Sequence, residues 1–195
     1  VEDRRIRKTK QELKDAMLAL LDEKPFEKIS VTELCEKASV SRITFYTHYG
    51  SKYDLVNEYF DDMEAWAEKR FQMLQEDNNP RWAPNPGFCN MFDAIIDMYM
   101  ENYNFFKHIM LTDNQYLFFQ FYKYLLENVE GYVSRYKDVL KPKYSLRRVA
   151  SFLCIGMWGF VRAGIEEKDP PEKIRGESRE LIGEMMRSGL LSNPL

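Results

Sequence analysis

At 195 residues, 45% of them hydrophobic and 30% charged, the chain has material for one or two packed domains, which excludes a disordered polypeptide. Its formal net charge of −3 is acidic only beyond residue 60, because residues 1–60 balance; a general polyanion binder is excluded, so any nucleic-acid contact must be local. Cys35, Cys89 and Cys154, widely spaced and without a Cys-x-x-Cys pair, exclude a disulfide framework and a zinc site and read as small buried side chains.

In chain order, a first helix is predicted over about 4–22, with Ile6, Leu13, Met17, Leu20 and Leu21 on one side. Arg4, Arg5, Arg7, Lys8, Lys10 and Lys14 gather there around a single acid, Glu12, giving either a phosphate-contacting patch or a solvated helix face. Lys24-Pro25 closes the helix, because the residue before proline is pushed out of helical geometry. Three helix starts follow. Ser30 and Glu33 form a capping box inside an Ile29–Leu34 staple; Ser41 caps a second helix inside a Val40–Phe45 staple; Ser51 and Asp54 open a long helix to about Glu76. Ser30 and Ser41 stand eleven residues apart, room for one two-turn helix and a tight turn, which is helix-turn-helix spacing.

Residues 78–87 contain three prolines and no periodicity, and read as a loop. Further helices are predicted over 88–102, 104–112, 115–139, 145–167 and 171–190, with breaks at Asn102–Asn104, Thr112–Asn114, Lys141-Pro142 and Asp169-Pro170-Pro171. Strand alternation is weak throughout. The fold class is all-α, about nine helices, with an N-terminal three-helix helix-turn-helix domain over 1–50 and a C-terminal helical ligand-binding and dimerisation bundle over 51–195.

Within the motif, Leu34, Ala38, Val40 and Phe45 suit the small core between two steeply crossing helices, which leaves Arg42, Ile43, Thr44, Tyr46 and Thr47 on the outward side of a recognition helix. These side chains can serve phosphates or base edges, and Ile43 and Thr47 can touch a thymine methyl.

The segment from Arg4 to Phe60 resembles the N-terminal domain of TetR/AcrR-type transcriptional regulators. The likeness is carried by the basic first helix, Pro25-Phe26-Glu27-Lys28-Ile29-Ser30-Val31, Ala38-Ser39-Val40-Ser41, Thr44-Phe45-Tyr46-Thr47-His48-Tyr49 and Ser51-Lys52-Tyr53-Asp54-Leu55. It implies a dimer that binds a two-fold symmetric double-stranded DNA operator. Thr44, Tyr46 and Thr47 would face DNA, Tyr46 and His48 would hold phosphates, Lys52 would hold the backbone, and Arg5 would reach a phosphate or the minor groove. Thr32, Ser41 and Arg42 complete the DNA-facing set, while Tyr49 is assigned to the core. The turn residue is Ser39 where the family usually has glycine, and a left-handed Ser39 costs roughly 1 kcal/mol.

Beyond residue 88 the sequence is rich in tyrosine, phenylalanine and methionine, including Met91, Met98, Met100 and Met110, which suits a pocket for an aromatic or amphipathic molecule as well as plain core packing. Phe92, Tyr99, Tyr103, Phe106, Phe121, Tyr122 and Trp158 are the candidate ligand contacts, for an unidentified small-molecule effector that the resemblance implies. Phe152, Ile155 and Gly159 on one helix, and Leu181, Ile182 and Met185 on the next, with Met186 and Gly189 beside them, form apolar stripes read as the homodimer interface. The resemblance implies a repressor released by its effector; an activator, or a DNA-binding dimer without a ligand, remains open. His48 and His108 are the only histidines, and no phosphate loop or suggestive carboxylate pair occurs, so neither an enzyme, a cofactor nor a metal is expected. No apolar run approaching ~20 residues and no leader-like start is seen, so a soluble cytoplasmic protein without a membrane partner is expected.

Overall fold

The computed structural model describes residues 4–109, 114–140 and 143–187; the break at Thr112–Asn114 falls partly, and Lys141-Pro142, Met110, Gly189 and the Met186 side chain wholly, outside what it describes. Among the described residues the chain is helical without strands. The helices are α1 (Arg4–Leu21), α2 (Val31–Lys37), α3 (Arg42–His48), α4 (Lys52–Asn78), α5 (Pro84–Glu101), α6 (Tyr103–Phe106), α7 (Gln115–Arg135), α8 (Lys137–Leu140), α9 (Leu146–Glu166) and α10 (Pro171–Arg187), with one 3₁₀ turn at Phe26–Lys28.

The start and stop signals act as their chemistry dictates. The Ser30 hydroxyl accepts from the Glu33 amide while the Glu33 carboxylate accepts from the Ser30 amide, closing the capping box at the head of α2. The tail of α2 ends in a Schellman motif: Val40 N–H donates to Cys35 O and Ser39 N–H to Glu36 O. Ser39 stands at φ 55°, so serine does bear the left-handed conformation there.

Two expectations about boundaries are corrected. α5 begins at Pro84 rather than 88, because the first-turn positions of a helix have no intrahelical acceptor for their N–H, so Pro84 and Pro86 sacrifice nothing there. The helix expected over 104–112 is a single turn, Tyr103–Phe106.

The contacts divide the chain into two compact units, Val1–Glu64 with Asn102–Gln120, and Ala65–Glu101 with Phe121–Leu195. The first unit is built on Leu13, Met17, Phe26, Leu34, Phe45 and Leu55, all fully buried. Each such side chain contributes about 1.5–3 kcal/mol by leaving water. Polar ties reinforce it. Lys10 and Lys14 reach from α1 to Glu58 on α4, and Lys14 also holds Asp62. The buried Asn114 side chain accepts the Phe26 N–H and donates to His108 O, pinning the 3₁₀ turn to the segment before α7.

In the second unit every residue from Phe88 to Tyr99 except Cys89 is buried, Asp93 and Asp97 included. Buried carboxylates need partners, and α10 supplies them: Arg179 binds Asp93 and Arg175 binds Asp97, with Arg70 adding a second bond to Asp97. Pairing 93 with 179 and 97 with 175 sets α5 and α10 antiparallel. Ile96, Val161 and Ile174 form a shared apolar cluster, and a side chain at Gly164 would strike Ile174, so α9 and α10 pack closely.

α9 also corrects the expectation about apolar runs. The best 18-residue stretch of this 21-residue helix has a mean hydropathy of 1.3, long and apolar enough to cross a membrane by length and composition alone, with 33% of that stretch buried inside the protein.

Candidate nucleic-acid interface

α3 is a short helix held by one anchor and one cap. Phe45 is fully buried, and the Ser41 hydroxyl accepts from the Thr44 amide at 3.0 Å. Tyr49, just past the helix end, is buried as expected and its hydroxyl donates to Glu58 at 3.1 Å. With Phe45 turned inward, the helical period turns Arg42, Ile43, Tyr46 and Thr47 outward, and all four are exposed; Thr44 and His48 are half-buried at the edges. Thr32 on the first turn of α2 and Ser41 are exposed as well, as is Arg5 on α1. The sequence-derived set therefore falls largely on the exposed surface of one short motif.

The donors on that surface are unequally available. The Thr47 hydroxyl donates to Ile43 O at 2.9 Å, and Thr44 Oγ1 pairs with Ser41 Oγ at 2.8 Å. The guanidinium of Arg42 lies 6.0 Å from the Tyr46 ring centre, placing a cation beside a phenol. Arg42 and Tyr46, with the half-buried His48 at the edge, are the side chains on α3 suited to donate outward.

Lys52 turns toward its own chain in this structure. Its ammonium donates to Phe26 O at 2.7 Å, Glu27 O at 2.8 Å and Ile29 O at 2.8 Å, and lies 4.8 Å from the Phe26 ring centre. All three ammonium protons point at carbonyls of the 3₁₀ turn and its C-cap. Burial disfavours the charge and lowers its pKa from the ordinary lysine value; the carbonyl cage is what keeps an ammonium there at all. The basic patch on α1 shrinks likewise, since Lys10 and Lys14 turn to Glu58 and Asp62, leaving exposed Arg4, Arg5, Arg7 and Lys8.

In the second unit, Phe92, Tyr99, Phe121 and Trp158 line one apolar void of only about 30 Å³ together with Cys154, Met157 and Val161. A roomier cleft of about 190 Å³ lies between α4, α5 and α7; Met91, Ile95, Tyr124 and Tyr132 are among its apolar walls, with Glu68, Glu127, Asn128 and Arg135 among its polar groups. Of the other expected ligand contacts, Phe106 is buried and Tyr103 exposed in the first unit, and Tyr122 is half-buried away from both spaces. Burial raises the thiol pKa of all three cysteines, Cys154 to about 12, which suits inert side chains rather than reactive ones.

The expected interface residues separate. On α9, Phe152, Ile155, Gly156, Gly159 and Ala163 form an exposed stripe opposite buried Leu153, Cys154, Met157 and Val161, so the helix is apolar on both faces. On α10, Leu181 and Met185 are half-buried, but Ile182 is 1% exposed and belongs to the protomer's own core. The acid–arginine ladder between α5 and α10 was not anticipated. Its signal was present: acids at 93 and 97 on an otherwise apolar helix, and arginines at 175 and 179, both at i, i+4 spacing.

Residues 13–59 match the family model described as bacterial regulatory proteins, tetR family. The uncharacterised HTH-type transcriptional regulator YxbF of Bacillus subtilis (strain 168) is 36% identical over 58 residues, and the match spans 30% of this chain but only 15% of that protein. Among solved structures, a protein assigned to the TetR family of transcriptional regulators from Syntrophomonas wolfei aligns with a TM-score of 0.77 at 13% identity, covering 96% of this chain and 99% of that one. A protein assigned to regulation of fatty acid metabolism from Clostridium perfringens gives 0.66 at 19% identity, over 89% and 97% of the two chains. The dihydroxyacetone kinase operon activator DhaS gives 0.52 at 18% identity, over 92% and 96%. At these identities the structural likenesses speak for the fold alone.

Proposed function

We propose that the chain, whose residues 13–59 match the tetR family model, is a regulator of that family: a homodimeric, sequence-specific DNA-binding repressor released by a small-molecule effector. The observation that carries the reading is the outward face of α3, where Arg42, Ile43, Tyr46 and Thr47 stand exposed while Phe45 alone anchors the helix. A face like that fits the major groove of duplex DNA, with Arg42 and Tyr46 as donors and Arg4, Arg5 and Arg7 close enough in sequence to one another to act together on phosphates. The DNA-reading module ends near residue 50 in this proposal, and the remainder senses and dimerises.

The exposed stripe Phe152–Ile155–Gly159 is the proposed dimer contact: glycine beside large apolar side chains lets two copies of α9 approach closely, and a self-complementary patch suits two-fold pairing. Leu181 and Met185 extend it. The cleft lined by Tyr124 and Tyr132 is the proposed effector site, because the void at Phe92, Tyr99, Phe121 and Trp158 is too small for anything beyond a water or two. An effector with an apolar body and a polar group suits its walls.

Selection from a randomised duplex library tests the proposal. Enrichment of an inverted repeat with half-sites about one helical turn apart is the expected result. Failure to enrich any sequence removes the DNA-reading claim. A sedimentation profile that is monomeric for the parent chain removes the dimer, and the variant Phe152→Glu is expected to convert a parent dimer to monomer.

A further inference from the structure

Ile43 is the most exposed large apolar side chain among the described residues, at 83%, on the helix whose other outward groups are polar. It does no packing work: Phe45 anchors α3 from inside, and no aromatic or apolar contact to Ile43 is needed to hold the helix. Its β-branch fixes one strongly preferred side-chain rotamer in a helix, so it is a stiff apolar projection whose ordering on contact costs little. One turn on, Thr47 sits on the same face with its hydroxyl proton committed to the Ile43 carbonyl. Thr47 can therefore accept a hydrogen bond but not give one, and it has nothing to offer guanine O6 and N7 or thymine O4. Thr44 is occupied with Ser41. The middle of the face thus presents apolar surface, and the base-edge group that apolar surface recognises in a major groove is the C5 methyl of thymine.

We infer that Ile43 is a specificity-determining residue that reads a thymine methyl in each operator half-site, with Arg42 and Tyr46 supplying the flanking polar contacts. The inference rests on the DNA-reading proposal above and adds to it the identity of one base and the group that recognises it.

The test uses the full chain and the operator enriched from the randomised library. Each thymine is replaced in turn by deoxyuridine, which removes the C5 methyl and nothing else, and affinity is measured for the parent and for Ile43→Ala. In the parent, one thymine per half-site should be sensitive, with a loss of about 4-fold for one half-site and about 15-fold for both, the worth of one buried methyl group each. In Ile43→Ala the overall affinity falls and the same replacement has no effect, while melting temperature is unchanged because the side chain is exposed and alanine favours the helix. Ile43→Val should keep most of the discrimination. An operator in which no thymine is sensitive, or in which Ile43→Ala keeps the full penalty, overturns the inference and leaves DNA reading intact. A library that enriches nothing overturns both.

Discussion

Replacing Lys52 by methionine keeps the aliphatic stem and removes the ammonium from its three carbonyl partners. Of those partners, Phe26 O still receives the Ile29 amide, and Glu27 O sits in an exposed bond that water can replace. Ile29 O, in a partly buried bond, is the acceptor left most poorly satisfied. One such acceptor costs about 1–3 kcal/mol, and part of that is returned because a charge no longer has to be kept from water, so a net loss of about 2 kcal/mol is expected. For a chain of this size each kcal/mol moves the melting temperature by about 2–4 °C, so Lys52→Met should melt about 4–8 °C lower. The same variant, titrated with duplex DNA over a range of salt, should keep the parent's slope of log affinity against log salt, since a lysine with no free proton makes no phosphate contact. A true phosphate ligand would lower that slope by roughly 0.9 per protomer. An unchanged melting temperature together with a reduced slope would refute the carbonyl-cage reasoning.

Three further outcomes follow from the packing. Burial alone would raise the Glu58 pKa, but hydrogen bonds from Lys10 and Lys14, the Lys14 charge and the Tyr49 hydroxyl hold it below the ordinary glutamate value. A carboxylate depressed in the folded state stabilises above its unfolded pKa, about 4.3, and that contribution is lost as pH falls through the folded value. The melting temperature gap between the parent and Glu58→Gln should thus be full at pH 7 and close below about pH 4; a gap constant down to pH 3 would contradict it. A methyl group at Gly87 would strike the Tyr132 hydroxyl and crowd Gln75 Nε2, so Gly87→Ala should cost about 1–3 kcal/mol by thermal or urea melting. Tyr132→Phe introduced on top should cost less than it does alone, and strict additivity would count against the clash. Asn114→Ala strands the Phe26 N–H and the His108 carbonyl and should cost about 2–4 kcal/mol, whereas Asn114→Asp keeps the acceptor and should cost less; equal losses would mean the acceptor half carries nothing.

The parts of the protein written in local chemistry were legible from the sequence. Ser30 with Glu33, and Ser41 before Arg42, announce helix starts because a cap and its partner lie within one turn. The inward Phe45 and outward Arg42 and Tyr46 follow from a 3.6-residue period over a helix too short to drift. Ser39 was legible as the left-handed turn only through the family resemblance, which has glycine at that place, and its φ of 55° agrees. What local chemistry does not reveal is whatever depends on a partner far along the chain. Lys52 meets the carbonyls of residues 26–29, and nothing in its own neighbourhood marks it as different from a solvated first-turn lysine. Ile182 and Phe152 both look like interface residues in a helical stripe, yet the arginine ladder to Asp93 and Asp97 fixes which face of α10 turns inward. The aromatic-rich stretch could not be sorted into void, cleft and core, since the break at Asn102 resets the helical phase and sends Tyr103 and Phe106 into the other unit.

Fluorescence anisotropy of the full chain on its selected operator, comparing the parent with a variant carrying Arg42→Ala and Tyr46→Ala, bears most directly on α3 as the DNA-reading helix. Loss of two polar contacts of ordinary strength should weaken binding by roughly 100-fold. Melting temperature should hold steady, and the exposed control Tyr103→Ala should bind like the parent. Parent-like affinity in the double variant would contradict the account.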